Sequence, residues 1–352
     1  MSSASHLPSA IERELLDAAR GGDEHAYRRL VESHRGELHA HCYRMLGSLH
    51  DAEDSLQDAL LRAWRGLPRF DGRSSLRSWL YRIATNVCLK MLERRRKLVL
   101  PVDYGPPSDP HDPPAAPLVE SVWIEPFPDE RLGLGDALAG PEARYDQRES
   151  VELAFIAALQ HLPARQRAVL ILRDVLGFSA REVATTLDAT PAAIDTALQR
   201  AHKNVEERLP ARSQQTTLRA LGDRRLREIV DRFLAAWERA DVDAVVGLLA
   251  EDALLTMPPI PTWFRGRDGI GAFLATRPLS GAVPTRLMAT RANGQPAFGH
   301  YTWDAGRDAF VANDIVVLTM DGESIGEITA FLFTDAIFER FGLPAEIAAT
   351  RA

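Results

Sequence analysis

Cysteine is scarce: Cys42 and Cys88 are the two in 352 residues. Two thiols cannot build a disulfide framework, so the chain is expected to rely on hydrophobic cores in a reducing, cytoplasmic compartment, where a single bridge between the two is the less favoured alternative. No apolar run approaches the ~18–20 residues of a membrane span. The opening stretch MSSASHLPSAIERELL lacks the basic head and apolar core of a secretory leader. Basic residues are outnumbered, with 42 Lys and Arg against 49 Asp and Glu and a net charge of −7. That balance argues against a protein that coats nucleic acid along its whole length. No internal repeat and no metal or nucleotide motif is seen. What remains is ordinary globular composition, 45% hydrophobic and 26% charged, in a chain long enough for two or three cores.

Charge is segregated. Residues 69–97 carry a net charge of +7 and residues 98–150 a net charge of −8. A basic block next to an acidic one suggests separate partners. Ala26 to Leu46 reads as a helix closed by Gly47. A second helix is expected from Asp51, capped by its own carboxylate, to about Arg65. A third should follow Ser74–Ser75 and run to about Lys97, burying Leu76, Leu80, Ile83, Val87 and Met91.

Residues 98–148 interrupt the helices with dense proline, which forbids helix interiors and central strands. They read as a partly extended acidic linker. The apolar knot Val122–Trp123–Ile124 with Phe127 is out of place in a solvated linker and suggests docking. A linker of about 50 residues reaches at most ~165 Å. Helices then resume. Pro163 opens one that ends at Gly177. Ser179 with Glu182 fits a capping box, and Thr190–Pro191 fits an N-cap and first-turn pair. The two helices so marked are joined at Asp188–Thr190, which is helix-turn-helix spacing.

Beyond residue 213 the pattern changes. Leu226, Ile229, Val230, Phe233, Leu234 and Trp237 form one helical stripe. Short helices are expected near 242–249 and 268–275, and a strand near Leu254–Met257. Strand-like runs follow at 284–292, 296–303, 311–320 and 324–333, with Asp321–Gly322 as a hairpin signal. Helices followed by a curled antiparallel sheet read as an α+β domain. The fold class is therefore multi-domain: two all-α domains (1–97 and 149–212) flanking a linker (98–148), then an α+β domain (213–352).

Two constellations carry chemistry. Asp51, Glu53, Asp54 and Asp58 sit on the opening turns of one helix, where acids complement the dipole. Trp79 and Tyr81 are interleaved with Arg73, Arg77, Arg82, Lys90 and Arg94. Basic groups hold phosphates and aromatics stack on exposed bases. Arg82, Asn86 and Lys90 lie four apart and form one row beside the apolar face.

These residues, DAED…QD…LRAW followed by F-GRSSLR-WLYRIATN-CL, resemble the second conserved region of extracytoplasmic-function sigma factors of the sigma-70 family. LPARQRAVLILRDVLGFSAREVATTLDATPAAIDTALQRAHKNVEERL resembles the fourth region of the same family. The resemblance implies that Asp51, Glu53, Asp54, Gln57, Asp58 and Trp64 contact the β′ clamp helices of core RNA polymerase. It implies that Arg73, Arg77, Trp79, Arg82, Asn86, Lys90 and Arg94 bind and open the minus-ten element of promoter DNA. Asn and Arg can read bases bidentately. The helix from Pro191 would enter the major groove of the minus-thirty-five element with Thr196, Gln199, Arg200 and Lys203, while Ile194 and Leu198 face inward and the fourth region meets the β flap. Asp195 and the alanines make that helix less basic than in many relatives.

The segments FRGRDGIGAFL, NGQPAFGHY and DGESIGEITAFLF resemble SnoaL-like domains of the cone fold. Such a cone implies a pocket, here with Trp237, Met257, Trp263, Trp303 and Phe333 as lining. Asp252, His300, Tyr301 and Asp314 are the candidates for chemistry there, but no spacing marks a dyad, and no enzyme activity or cofactor is expected. The resemblance further implies that this domain modulates sigma activity, with linker residues 121–130 as an intramolecular contact. His34, His39, His41 and Cys42 do not share one helix face, so no metal site is expected. Two other readings remain: a ligand-sensing helix-turn-helix regulator that does not recruit polymerase, and an enzyme with a DNA-targeting arm.

Overall fold

The computed structural model describes residues 10–94, 98–118, 123–132, 146–332 and 336–348. They divide into two compact units. One comprises residues 1–97, 131–150 and 158–208, the other 98–130, 151–157 and 209–352.

The first unit is helical. Helix α1 spans Ala10–Arg20, α2 Glu24–Leu46, α3 Leu49–Gly66 and α4 Leu76–Leu92. Asp23 caps α2 by accepting from the amides of His25 and Ala26 at 2.8 and 3.1 Å. Gly47 ends it in the left-handed region at φ 69°. The cap of α3 is Ser48, whose hydroxyl accepts from the Asp51 amide at 3.2 Å, and not Asp51 as the sequence suggests. Ser48 is extended and one turn upstream, so Asp51 falls inside the first turn, where its charge still complements the dipole. Helix α4 starts at the Ser75 cap and stops at Leu92. The expected extension to Lys97 runs into residues 95–97, outside the described residues. Leu76, Leu80, Ala84, Val87 and Cys88 are buried along one side of α4, each large side chain contributing about 1.5–3 kcal/mol. Cys42 and Cys88 are both free and buried.

Four further helices follow: α5 (Leu153–Gln160), whose residues 153–157 count with the second unit, α6 (Ala164–Leu170), α7 (Ala180–Leu187) and α8 (Pro191–Glu206). Helix α6 continues as a π turn over Ile171–Val175 before Gly177 at φ 72°. The Ser179–Glu182 capping box is formed in both directions. Asp188 takes the left-handed conformation at φ 50° and turns the chain into the Thr190 cap of α8.

The second unit contains α9 (Gln214–Leu221), α10 (Asp223–Glu238), α11 (Val242–Val246), α12 (Gly266–Thr276) and α13 (Ala336–Arg340) around one sheet. Its strands are β1 (Leu249–Met257), β2 (Ile260–Arg265), β3 (Thr285–Ala292), β4 (Gln295–Asp304), β5 (Ala309–Asp321), β6 (Ser324–Leu332) and β7 (Glu346–Ala348). The order is β2-β1-β6-β5-β4-β3, with β7 added on β5. The sheet is mixed and not purely antiparallel: β1 runs parallel to β6. Strands β5 and β6 are joined at Asp321 opposite Ser324, which places Gly322 at φ 56° in a two-residue turn. Ile229, Phe233 and Trp237 of α10 pack on Leu255, Phe298, Val316 and Ile328 of the sheet.

Candidate functional site

Helix α3 buries Ala52, Ser55, Leu56, Ala59 and Ala63 and leaves Asp51 and Glu53 half-buried. Asp54 and Gln57 are exposed, and Asp58 is half-buried. Asp54 stands 3.7 Å from His50, and Asp58 accepts two bonds from Arg62 at 2.8 and 2.9 Å. Glu53 pairs with Arg131. Trp64 does not stand free, because its ring lies 5.0 Å from that of Tyr27 at 48°. The Tyr27 hydroxyl donates to Leu60 O at 2.6 Å, and burial raises its pKa well above the ordinary value.

On α4 the sequence row is real. Arg82, Asn86 and Lys90 are exposed, while the opposite side is buried. Arg73 and Arg94 are exposed too, Arg73 with Asp71 at 3.1 Å. Trp79 packs on Phe70 at 4.9 Å and against Gly66, which makes it part of the packing. Arg77 is also engaged. Its guanidinium lies 5.0 Å from the Tyr81 ring centre and 4.9 Å from that of Phe178, with Glu37 at 3.5 Å. Ser78 donates to Glu182 at 3.2 Å, so the capping box of α7 is tied to the first turn of α4. Two buried arginines reinforce the unit: Arg44 donates to Ser150 Oγ at 2.7 Å, and Arg167 donates to Gln160 and to Met45 O. His41 is fully buried beside Thr85 at 2.9 Å, and desolvation, with help from Arg44 and Arg77, pushes its pKa down to about 3. On α8, Thr196, Gln199, Arg200 and Lys203 are exposed, Ile194 is buried and Leu198 half-buried. Thr196 spends its hydroxyl on Ala192 O at 3.0 Å.

The acidic linker is docked within the second unit. Trp263 Nε1 donates to Gly105 O at 2.9 Å, and the Ala115 amide donates to Thr262 Oγ1 at 2.9 Å. Ile124 and Phe127 are completely buried and Trp123 nearly so. Val122 lies outside the described residues. Their anchor is the β3–β4 turn, where Asn293 at φ 55° and Gly294 at φ 73° suit a hairpin of this twist. Asn293 Oδ1 accepts from the Phe127 amide at 2.8 Å, and its Nδ2 donates to Val151 O at 2.7 Å. Asp129 accepts from the Gly294 amide at 2.7 Å and from Arg291 at 3.1 Å. Gln295 Oε1 accepts from the Leu153 amide at 3.3 Å. Glu152, 3% exposed, accepts from the first two amides of α9, Gln214 and Gln215, at 2.9 and 2.6 Å.

Three comparisons bear on this arrangement. The sequence matches Sigma-70 region 2 over residues 30–98, Sigma-70 region 4 over 152–205 and a SnoaL-like domain over 230–328. It is 42% identical over 336 residues to the ECF RNA polymerase sigma factor SigG of Mycobacterium tuberculosis, covering 94% of this chain and 86% of that one. The chain belongs to the extracytoplasmic-function RNA polymerase sigma factors. A second member, SigM of the same organism, is 30% identical over 190 residues, 54% of this chain and 80% of that relative. Among solved structures, the sigma factor SigJ of M. tuberculosis matches with a TM-score of 0.56 at 22% identity, covering 90% of this chain and 99% of SigJ, which speaks to fold. No helix among the described residues is long and apolar enough to cross a membrane.

In this sigma factor the described residues among those expected to line a cone pocket do not all lie on one face of the sheet. Trp237 and Met257 belong to the core between helices and sheet. Trp263 pairs with Thr256, one position off the Leu255–Phe264 pair that faces that core, so alternation puts it on the other face with the linker. Trp303 stacks edge-on against Phe310 at 5.1 Å. Phe333 lies outside the described residues. Asp252 is exposed, and the Tyr301 hydroxyl donates to Pro344 O at 2.9 Å. His300 and Asp314, fourteen positions apart, are direct cross-strand partners. Sequence spacing could not show this, because register decides it. The Asn293–Gly294 pair was the readable signal for the linker anchor; Asp129, Glu152, Gln214 and Gln215 gave none.

Proposed function

We propose that the chain binds core RNA polymerase through the acids of α3, opens the minus-ten element with the exposed row of α4, and reads the minus-thirty-five element with α8. Asp51, Glu53, Asp54, Gln57, Asp58 and Trp64 form the surface for the β′ clamp helices, and the helices 149–212 meet the β flap. Arg82, Asn86 and Lys90 carry the DNA contacts of α4, with Arg73 and Arg94 on phosphates. Thr196, Gln199, Arg200 and Lys203 face the major groove. RNA synthesis belongs to the polymerase, and the chain acts in the cytoplasm without catalysis of its own. The residues beyond 213, holding linker residues 123–129, modulate these steps.

The observation that supports this reading best is the division of α4. One side is buried apolar core and the other presents a guanidinium, an amide and an ammonium in a line, the set that holds phosphates and reads base edges. Purified chain should co-elute with core polymerase, and replacing Asp54 and Gln57 with alanine should weaken co-elution without lowering the melting temperature. Promoter binding without any co-elution would instead support the helix-turn-helix regulator.

A further inference from the structure

Helix α1 precedes residues 30–98, the stretch that matches region 2, and Ala19 alone among its residues is buried. Its last residue nevertheless grips a point fifty positions further along the chain. Arg20 Nη2 donates to Phe70 O, and the guanidinium carbon lies 5.7 Å from the centre of the Phe70 ring. Asp17 Oδ1, one turn back on α1, stands 3.6 Å from Arg20 Nη1. Phe70 is itself 7% exposed, and its ring packs on Trp79 of α4 at 4.9 Å. A guanidinium suits this place because one planar group serves both the carbonyl and the ring face.

Phe70 follows the 3-10 turn Leu67–Arg69, and the chain then crosses to α4 through residues 71–75. All five are exposed. Among the described residues, their side-chain bonds stay within the loop and the first turn of α4. Asp71 accepts from the Arg73 amide and pairs with Arg73 Nε, both at 3.1 Å, and Ser75 accepts from the Ser78 amide at 3.1 Å. Gly72 turns the loop at φ 73°. A loop built this way takes its direction from its two ends. The Ser75 end is set by capping α4. The Phe70 end is set by Arg20 and by the ring contact with Trp79. Arg73, with 89% of its side chain exposed, projects from the middle of the span.

We propose that Arg20 is a positioning residue for promoter binding: by holding the Phe70 carbonyl and ring, it aims the loop 71–75 so that Arg73 meets a phosphate of the minus-ten element. Arg20 touches no DNA and acts through Arg73. The inference rests on the reading that Arg73 and α4 meet promoter DNA, and it adds α1 to the parts that set this contact.

The test uses the full-length chain assembled with core polymerase on a promoter fragment, with affinity followed as salt is raised. Each phosphate contact adds about one ion to the slope of log affinity against log salt. Arg73→Ala should lower that slope by about one ion. Arg20→Met should lower it by the same amount, and the double variant should lose no more than Arg73→Ala alone. Arg20→Lys, which keeps a donor for the carbonyl, should restore the slope. Arg20→Gln replaces Arg20→Met if the latter does not fold. A lowered melting temperature with an unchanged slope in Arg20→Met overturns the proposal and leaves Arg20 a structural staple. A further loss in the double variant overturns it too, since Arg20 would then hold a phosphate itself. So does an Arg73→Ala slope equal to that of the unaltered chain. Losses at Arg20 and Arg73 with none in Arg82→Ala would uphold this inference and fault the reading of the α4 row.

Discussion

Replacing Asn293 with glycine removes one side chain and keeps the backbone comfortable, since φ is 55° there. The loss is therefore readable in hydrogen bonds. The Phe127 amide loses its 2.8 Å acceptor and the Val151 carbonyl loses its 2.7 Å donor. Both sit in a buried surrounding, with Asn293, Phe127 and Val151 fully inaccessible. A buried group left unpaired costs about 1–3 kcal/mol, so the pair amounts to about 2–6 kcal/mol. Asn293→Ala should cost about 1 kcal/mol more, because alanine resists the left-handed region. The assay is amide hydrogen exchange on the full chain. The Phe127 amide should exchange at least fivefold faster in Asn293→Gly, while amides of the α10 core keep their protection. Unchanged protection at Phe127 would show that this turn does not hold the linker and would refute the reasoning. Promoter-dependent transcription should change in the same variant if the docked linker sets sigma activity.

Four further outcomes are expected. Arg82→Ala and Asn86→Ala should each weaken promoter binding by about 1–3 kcal/mol with melting temperature unchanged, and Lys90→Ala should lower the salt slope of binding by about one ion. Arg77→Ala should behave oppositely, lowering stability by about 1–2 kcal/mol, because its guanidinium lies against the rings of Tyr81 and Phe178; urea unfolding decides. Ile194→Ala, at 2% exposure, should destabilise the helix-turn-helix by about 2–5 kcal/mol, measured by the same unfolding. His41 has its pKa lowered from 6.5 to about 3 by burial. The unfolded chain thus takes up a proton that the folded chain refuses, and stability present above pH 6.5 is lost as pH falls toward 3, by about 1.4 kcal/mol per pH unit from this group. His41→Gln should flatten the pH dependence by that slope.

Local signals were well legible. Ser75, Ser179 with Glu182, Thr190 with Pro191, and Gly47 all stand where cap chemistry puts them, and the four-residue spacing of Arg82, Asn86 and Lys90 predicted an exposed row. Long-range pairing was not legible. Nothing local distinguishes Arg77, held against two rings, from Arg82, five residues on and exposed. The parallel β1–β6 pair, the face taken by Trp263 and the meeting of His300 with Asp314 all depend on register between strands distant in sequence. Dense proline in the linker excluded regular structure correctly, but it did not show that Gly105, Ala115 and Phe127 use their backbone groups on the second unit. The expected Asp51 cap failed because the helix begins three residues earlier, where Ser48 accepts from the amide of Asp51 itself.

The most direct test is transcription from a linear promoter template by core polymerase with and without the purified chain. Transcripts of one defined length, absent with core alone and lost with Arg82→Ala and Asn86→Ala combined, are the predicted result. Equal output with and without the chain would contradict its assignment as the subunit that selects the start site.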